Sequence, residues 1–119
     1  MTTIVQYFIV NSDLQMTKGK ICSQIAHCSG IIVENVIRSA YESPSPSQTY
    51  ITYMKWKKNC TKIMLKATTN QLLELSKLPG AFAFYDEGRT TQIESGSLTV
   101  VGFYPGALDS NLVKDYQLL

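Results

Sequence analysis

The sequence of 119 residues has little of what most hydrolase and metalloprotein sites require. It contains one histidine, His27, and three cysteines that form no Cys-x-x-Cys pair. This content argues against a multi-histidine metal centre, a four-thiolate zinc site and a disulfide framework, and the thiols are expected to be reduced. A Gly-x-Ser-x-Gly nucleophile elbow is also missing, so the sequence does not predict a serine hydrolase of that type.

Long apolar runs and a strong excess of one charge are missing as well. Uninterrupted apolar runs such as residues 7–10 fall far below the roughly 20 residues of a membrane helix, and no N-terminal signal sequence is visible. Eleven Lys and Arg against nine Asp and Glu give a net charge of +2, so any contact with nucleic acid must be local. We therefore expect a cytoplasmic protein that does not bind membranes. What is present, 45% apolar side chains with only four prolines, predicts one globular domain over residues 1–119.

The spacing of apolar residues predicts strands alternating with helices. The apolar run over residues 3–10 predicts a central strand covered on both faces, and three- and four-residue spacing predicts a long helix over residues 17–40. Residues 49–56 fit a strand or a short helix, and we favour the helix. The other predicted elements are strands at 62–67, 81–85 and 97–103, a helix after Thr68 that ends before Pro79, and a closing helix in the last ten or so residues.

This alternation predicts an α/β domain of three layers, with a mostly parallel sheet between helices. Ligands of such sheets bind beyond the carboxyl ends of the strands. Two polar clusters follow predicted strand ends, residues 13–20 after the first strand and residues 86–91 after the third. If those two strands are parallel, the clusters share one edge of the sheet.

The long predicted helix carries a polar stripe formed by Lys20, Gln24 and His27, spaced at i, i+4 and i+7. It runs beside the apolar stripe that we expect to be buried, which contains Ile21, Ile25, Cys28 and Ile32. Polar groups on such a helix are costly to bury without partners, so the stripe indicates either a functional site or a solvated face. Periodicity alone leaves both interpretations open.

Three other groups of residues also have a functional and a plain structural interpretation. The run 17–20 at the helix start offers backbone donors and two ammonium groups to a phosphate or carboxylate, or it is a turn with solvated lysines. Asp86 stands at the end of the third predicted strand, a position where active-site acids often lie. The structural interpretation is an Asx-turn that satisfies backbone amides. A lysine-rich segment over residues 55–66 either binds along a nucleic-acid backbone or is simply a solvated surface. It contains Trp56 and the lysines Lys55, Lys57, Lys58, Lys62 and Lys66.

In this order and spacing, the residues resemble the archaeal and eukaryotic type of peptidyl-tRNA hydrolase, the type two family. The resemblance covers almost the whole chain and rests on Asn11-Ser12-Asp13-Leu14, Lys18-Gly19-Lys20-Ile21, Gln24, His27-Cys28, Asp86-Glu87-Gly88-Arg89-Thr90, Gln92-Ile93, Gly96-Ser97, Thr99-Val100 and Gly102. It implies an α/β/α sandwich with a four-stranded mixed sheet, often assembled as a homodimer. It also implies hydrolysis of the ester that joins a peptide to the terminal ribose of tRNA, with no metal or organic cofactor.

The resemblance further implies roles for individual residues. The essential lysine of the family falls on Lys20, its glutamine on Gln24, its aspartate on Asp86 and its threonine on Thr90. We hypothesise that Asp86 orients or deprotonates water with help from Thr90, and that Lys20 neutralises the oxyanion or keeps Asp86 ionised. Gln24 would position the ester or the peptide. Substrate contacts are also expected from Lys18, Arg89 and His27, of which the first two, with the lysine-rich segment, would meet tRNA phosphates.

His27 is either a general base or a residue that holds a loop by a hydrogen bond, and we favour the second role. The chain also departs from the family pattern. Gln15 stands where many members have lysine, and Thr91 resembles an insertion after Thr90, so either threonine could fill the family role. The other departures are Glu94-Ser95 in place of Ala-Pro and Tyr104 in place of glycine.

These departures keep two other hypotheses open. The first is a catalytically weak or inactive member of the family that binds RNA or a protein with the same surface. The second is an unrelated hydrolase of small molecules, which would act on simple esters without tRNA.

Overall fold

A computed structural model describes residues 3–87 and 93–119 of the chain. In order, the elements of this part are β1 (Gln6–Asn11), α1 (Lys18–Glu42), α2 (Gln48–Trp56), β2 (Lys62–Ala67), α3 (Thr69–Leu75), β3 (Ala81–Tyr85), β4 (Leu98–Phe103), a 3₁₀ helix (Ser110–Val113) and β5 (Gln117–Leu118). The predicted strands at 62–67 and 81–85 are confirmed with the same bounds, and the long helix is confirmed with Thr17 as its N-cap.

The strands form one sheet in the order β3-β4-β1-β2-β5. β1 pairs in parallel with β2 and antiparallel with β4, and β4 pairs antiparallel with β3. β1, β2 and β3 therefore run in one direction, and their carboxyl ends lie at one edge, which we call the carboxyl edge. β1 is the central strand and all six of its residues are buried, as the nearly continuous apolar run over residues 3–10 predicts.

The sheet separates two hydrophobic clusters, which confirms the three-layer α/β architecture. Phe8 and Val10 of β1 pack on the side of α1 and α2, whereas Tyr7 and Ile9 pack on the side of α3. Because successive side chains of a strand point to opposite faces, this single strand contributes to both clusters.

The end of the chain differs from the prediction. It forms a short 3₁₀ helix and then β5, whose Gln117 and Leu118 pair antiparallel with Lys66 and Leu65 of β2. The sheet therefore has five strands where four were expected, and no closing helix forms there. β5 lies on the outer side of β2 and satisfies backbone groups that an exposed sheet edge would leave to water.

Residues 48–56 form a helix, as favoured over a strand. Ser47 caps it by accepting a hydrogen bond from the Tyr50 backbone N–H. Tyr53 and Trp56, one turn apart, are buried against the sheet, and the Trp56 Nε1–H donates to the Thr61 carbonyl at 2.8 Å. The residues of this segment have a high β-propensity, but burial of these two aromatic rings on one face of a helix outweighs it.

A glycine lets α1 approach the sheet closely. A Cβ at Gly102 in β4 would lie 2.8 Å from the Cys28 Sγ and 2.9 Å from the Phe8 ring. Both neighbours are fully buried, so neither has room to move away. The missing side chain thus sets the depth at which α1 lies over β4.

Candidate active site

The two charged residues predicted as catalytic form a buried ion pair at the carboxyl edge. The Lys20 Nζ donates to the Asp86 Oδ1 at 2.6 Å, and only 4% and 3% of the two side chains are exposed. Lys20 lies in the first turn of α1, where the Thr17 side chain accepts from its backbone N–H, and Asp86 directly follows β3. Since β1 and β3 are parallel, Lys20 and Asp86, one from each predicted polar cluster, share one edge. The structure therefore excludes the solvated-lysine interpretation for Lys20.

The buried face of α1 begins with two residues of the polar stripe. Lys20 and Gln24 are buried, and the same line continues along the helix with Cys28, Ile32 and Val36 at four-residue spacing. The prediction that Ile21 and Ile25 belong to the buried stripe was wrong, because both are only partly buried and lie beside that stripe. The sheet supplies partners for the polar groups of α1, so the helix can turn Lys20 and Gln24 inward at acceptable cost.

The partner of Gln24 is Thr99 of β4, which sequence reasoning gave no role. The Thr99 Oγ1 lies 2.8 Å from the Gln24 Oε1 and 3.1 Å from the Phe84 carbonyl oxygen, and Thr99 is fully buried. A hydroxyl has one proton, so it donates to one of these oxygens at a time. The signal in the sequence was a single hydroxyl residue inside the apolar run of β4. This contact fixes the Gln24 side chain beside the ion pair.

An open cleft of about 430 Å³ borders the pair. His27 forms part of its wall, and its ring stacks on Phe84 with centroids 5.4 Å apart and planes 19° apart. His27 is exposed, and its predicted hydrogen bond to a loop stays a prediction. The described residues that line the cleft are Lys20, Ser23, Gln24, Ala26, His27, Gly30, Ile31, Glu34, Phe84, Asp86 and Glu87. The structure thus brings together Lys20, Gln24, His27 and Asp86, four of the predicted site residues.

The other predicted residues are not among those that the described part of the structure places at the cleft. Lys18 is exposed in the first turn of α1, outside the lining of the cleft. Arg89, Thr90 and Thr91 lie outside the described residues, so their roles stay predictions. Of the departures from the family pattern, Gln15 is exposed and Tyr104 packs edge-on against Phe82, with centroids 4.9 Å apart. Tyr104 therefore belongs to the core and not to the site.

All five lysines of the lysine-rich segment are exposed. The Lys62 Nζ lies 4.9 Å from the centre of the Trp56 ring, a distance at which the cation is attracted to the aromatic face. Lys62 begins β2, at the opposite end of the strand from the carboxyl edge. Lys66, the fifth of the six residues of β2, lies near the carboxyl edge, so the segment extends along the whole strand.

The structure gives no role in catalysis to the cysteines. Burial raises the pKa of the Cys28 thiol from 9.0 to about 11, so it stays protonated at neutral pH and cannot act as a thiolate nucleophile. Its Sγ donates to the Phe82 carbonyl at 3.7 Å, and all three cysteines are free. Within residues 3–87 and 93–119, no three His, Cys, Asp or Glu side chains are grouped to hold a metal ion. No helix in this part of the chain is long and apolar enough to cross a membrane.

A second polar cluster at the carboxyl edge follows β1 and connects it to α3. The Asn11 Nδ2 donates to the Thr69 Oγ1 and to the Leu98 carbonyl, both at 2.8 Å, and its Oδ1 accepts from the Asp13 backbone N–H at 2.9 Å. The Asp13 Oδ2 accepts from the Thr69 backbone N–H at 2.8 Å. These bonds close the junction between two elements, so this cluster is structural.

Comparison with known proteins identifies the family of the chain. The sequence profile of the family described as peptidyl-tRNA hydrolase PTH2 matches residues 4–118. The chain is 36% identical over 104 residues to a probable peptidyl-tRNA hydrolase 2 of Schizosaccharomyces pombe, covering 82% of this chain and 46% of that protein, about half its length.

Two archaeal relatives are matched over nearly their whole length. The peptidyl-tRNA hydrolase of Sulfolobus acidocaldarius is 34% identical over an alignment of 122 positions, which covers 93% of this chain and 96% of the relative. The peptidyl-tRNA hydrolase of Methanococcus vannielii is 33% identical over an alignment of 124 positions, which covers 96% of this chain and 97% of the relative. Because the profile matches nearly every residue of the chain, the chain belongs to the peptidyl-tRNA hydrolase PTH2 family.

Proposed function

We propose that this chain hydrolyses the ester bond between peptide and tRNA in peptidyl-tRNA and so releases free tRNA and peptide. The observation that carries the proposal is the contact between Lys20 and Asp86 in the wall of a cleft, in a chain of this family. A buried ion pair is weak evidence for stability, because desolvation of two charges can exceed their attraction. A catalytic role explains why both charges are kept there.

The chemistry needs few groups because the ester is already activated. Water adds to the ester carbonyl carbon while the Asp86 carboxylate takes one of its protons. The negative charge that develops on the carbonyl oxygen is stabilised by the Lys20 ammonium, and the bond to the ribose oxygen then breaks as that oxygen receives the proton. The two side chains lie within 2.6 Å of each other, so both can act on one ester group.

The other site residues position the reactants. Gln24, held by Thr99, orients the ester or the adjoining peptide unit. Thr90, or Thr91 in its place, helps Asp86 to orient the water. Lys18, Arg89 and the lysine-rich segment bind tRNA phosphates. The proposal places this reaction in the cytoplasm and includes a homodimer, in keeping with the family resemblance.

The test is release of the acyl group from N-acetylaminoacyl-tRNA, with free aminoacyl-tRNA as the control substrate that should persist. We expect Asp86→Asn, which keeps the side-chain shape, to lower kcat by about a thousandfold. Asp13→Asn is the matched control, since it changes a carboxylate at the same edge that accepts from the Thr69 backbone N–H and lies outside the described lining of the cleft, and it should leave kcat within about twofold.

The same assay separates the alternatives. Binding of tRNA by the wild-type chain without turnover would favour the binding module, and turnover of simple esters without tRNA would favour the small-molecule hydrolase. His27→Ala should keep wild-type turnover. If His27→Ala abolishes turnover while Asp86→Asn retains it, the assignment of the base is wrong.

A further inference from the structure

We infer that the cleft along α1 binds the peptide part of the substrate, in an extended form, and that Gly30 keeps this path open. The inference rests on the proposed function and assigns the two halves of the substrate to different ends of α1. The ester lies at Lys20 and Asp86, the tRNA lies beyond the helix N-terminus, and the peptide runs from the ester towards Glu34.

The cleft has the length of a short extended peptide. Its lining follows α1 from Lys20 to Glu34, which is about 21 Å at a rise of about 1.5 Å per residue. An extended chain advances about 3.3 Å per residue, so about six peptide residues span this distance, and the fourth or fifth lies opposite Gly30. A single N-acetylated amino acid would not reach that far.

The charges of the lining favour a peptide over RNA. Glu34, Asp86 and Glu87 contribute three carboxylates to the described lining, whereas Lys20 contributes the only ammonium group in it. A phosphate backbone would be repelled from such a surface, because nucleic-acid binding depends on cations that replace its counterions. A peptide carries no regular negative charge and meets no such barrier. The anionic half of the substrate is thereby directed to the side of Lys18.

The walls of the cleft suit a chain of varied sequence. Ile31, which is 39% exposed, and the stacked rings of His27 and Phe84 offer apolar surface that any peptide segment can partly cover. Burial of apolar surface is not directional, so it does not select particular side chains. An enzyme that releases many different peptides needs a surface of this kind.

Gly30 is the position at which the cleft can be narrowed without a clash. It lies in the interior of α1, where glycine weakens a helix, and it belongs to the lining. A Cβ built there meets no atom within 4 Å. The fold therefore has room for a side chain at position 30. A larger side chain there would project into the path of the peptide.

The experiment compares two substrates, N-acetylaminoacyl-tRNA and tRNA carrying an N-acetylated heptapeptide, on variants of the full chain. We expect Gly30→Leu to lower kcat/KM for the heptapeptide substrate about tenfold, mainly through KM, because a buried clash or lost pocket contact is typically worth this much. The one-residue substrate should react within about twofold of wild type, because it does not reach position 30. Gly30→Ala should give a smaller change in the same direction and serves if the larger variant folds poorly.

Cys22→Leu is the matched control. It adds a similar side chain to an exposed position of α1 outside the cleft and should leave both substrates unaffected. Equal loss on both substrates for Gly30→Leu, or no loss on either, would overturn the inference while leaving the proposed function intact. If the wild-type chain hydrolyses neither substrate, the proposed function itself fails.

Discussion

Two carboxylates follow parallel strands and lie at the same edge of the sheet, yet only one borders the cleft. Asp13, after β1, accepts from the Thr69 backbone and belongs to a cluster with Asn11 that ties β1 to α3. Asp86, after β3, meets the ammonium of Lys20 in the cleft wall. Position at a strand end is therefore not sufficient for chemistry. The two carboxylates differ in their partners: Asp13 accepts from a backbone amide, whereas Asp86 pairs with a buried ammonium group beside a cavity.

The two clusters also differ in what they do for the fold. The bonds of Asn11 are neutral hydrogen bonds, each of which contributes about 1 kcal/mol to stability. The Lys20–Asp86 pair must first lose its hydration, so its net contribution is small or unfavourable even though it is shorter. This contrast leads to three predictions, in order of expected effect.

The largest effect is expected from the charged pair. Lys20→Met removes the ammonium from beside a buried carboxylate and should lower the free energy of unfolding by about 3–5 kcal/mol, measured by urea denaturation. The double variant Lys20→Met/Asp86→Leu should recover a large part of that loss, since neither charge is then buried. Both variants should be inactive. A double variant no more stable than the single one would mean that the pair does stabilise the fold.

The structural cluster should behave in the opposite way. Asn11→Ala removes hydrogen bonds to Thr69 and Leu98 and should lower the free energy of unfolding by about 2 kcal/mol. Turnover per folded molecule should stay close to wild type at a temperature where the variant is folded. A tenfold loss of kcat in folded protein would show that the two clusters are coupled.

A smaller effect is expected from Thr99, which supports the site without touching substrate. Thr99→Val keeps the shape and removes the hydroxyl that holds Gln24, so kcat/KM should fall by about five- to tenfold, the effect of one lost hydrogen bond. Thr99→Ser retains the hydroxyl and should retain most of the activity. If Val and Ser reduce activity equally, the cause is packing around position 99 and not the contact with Gln24.

Local signals predicted much of the fold. Residues that cap or break helices lie next to β2, α3 and β3 in the sequence, so the positions of these three elements can be predicted from local sequence alone. β5 could not be predicted in this way, because two residues become a strand only when the edge of β2 is available beside them. The closing helix was predicted wrongly for the same reason, because the last residues of the chain pair with the edge of β2 instead.

The sequence predicted residues that the structure brings together, but not their burial. Lys20 and Gln24 are turned inward because their partners, Asp86 after β3 and Thr99 in β4, lie beneath α1. A helical wheel treats polar residues as outward-facing and cannot include partners that are more than sixty residues away in the chain. Thr99 itself was hidden by a strand that is otherwise apolar.

The absent side chain of Gly102 has a consequence for how the site tolerates change. It governs the approach of α1 about two helical turns from Lys20, and any added carbon would press against the Cys28 sulfur. Pushing the helix outward there would tilt its first turn and draw the amine away from the carboxylate. Alignment of the ion pair is thus controlled at a distance, by a position outside the described lining of the cleft.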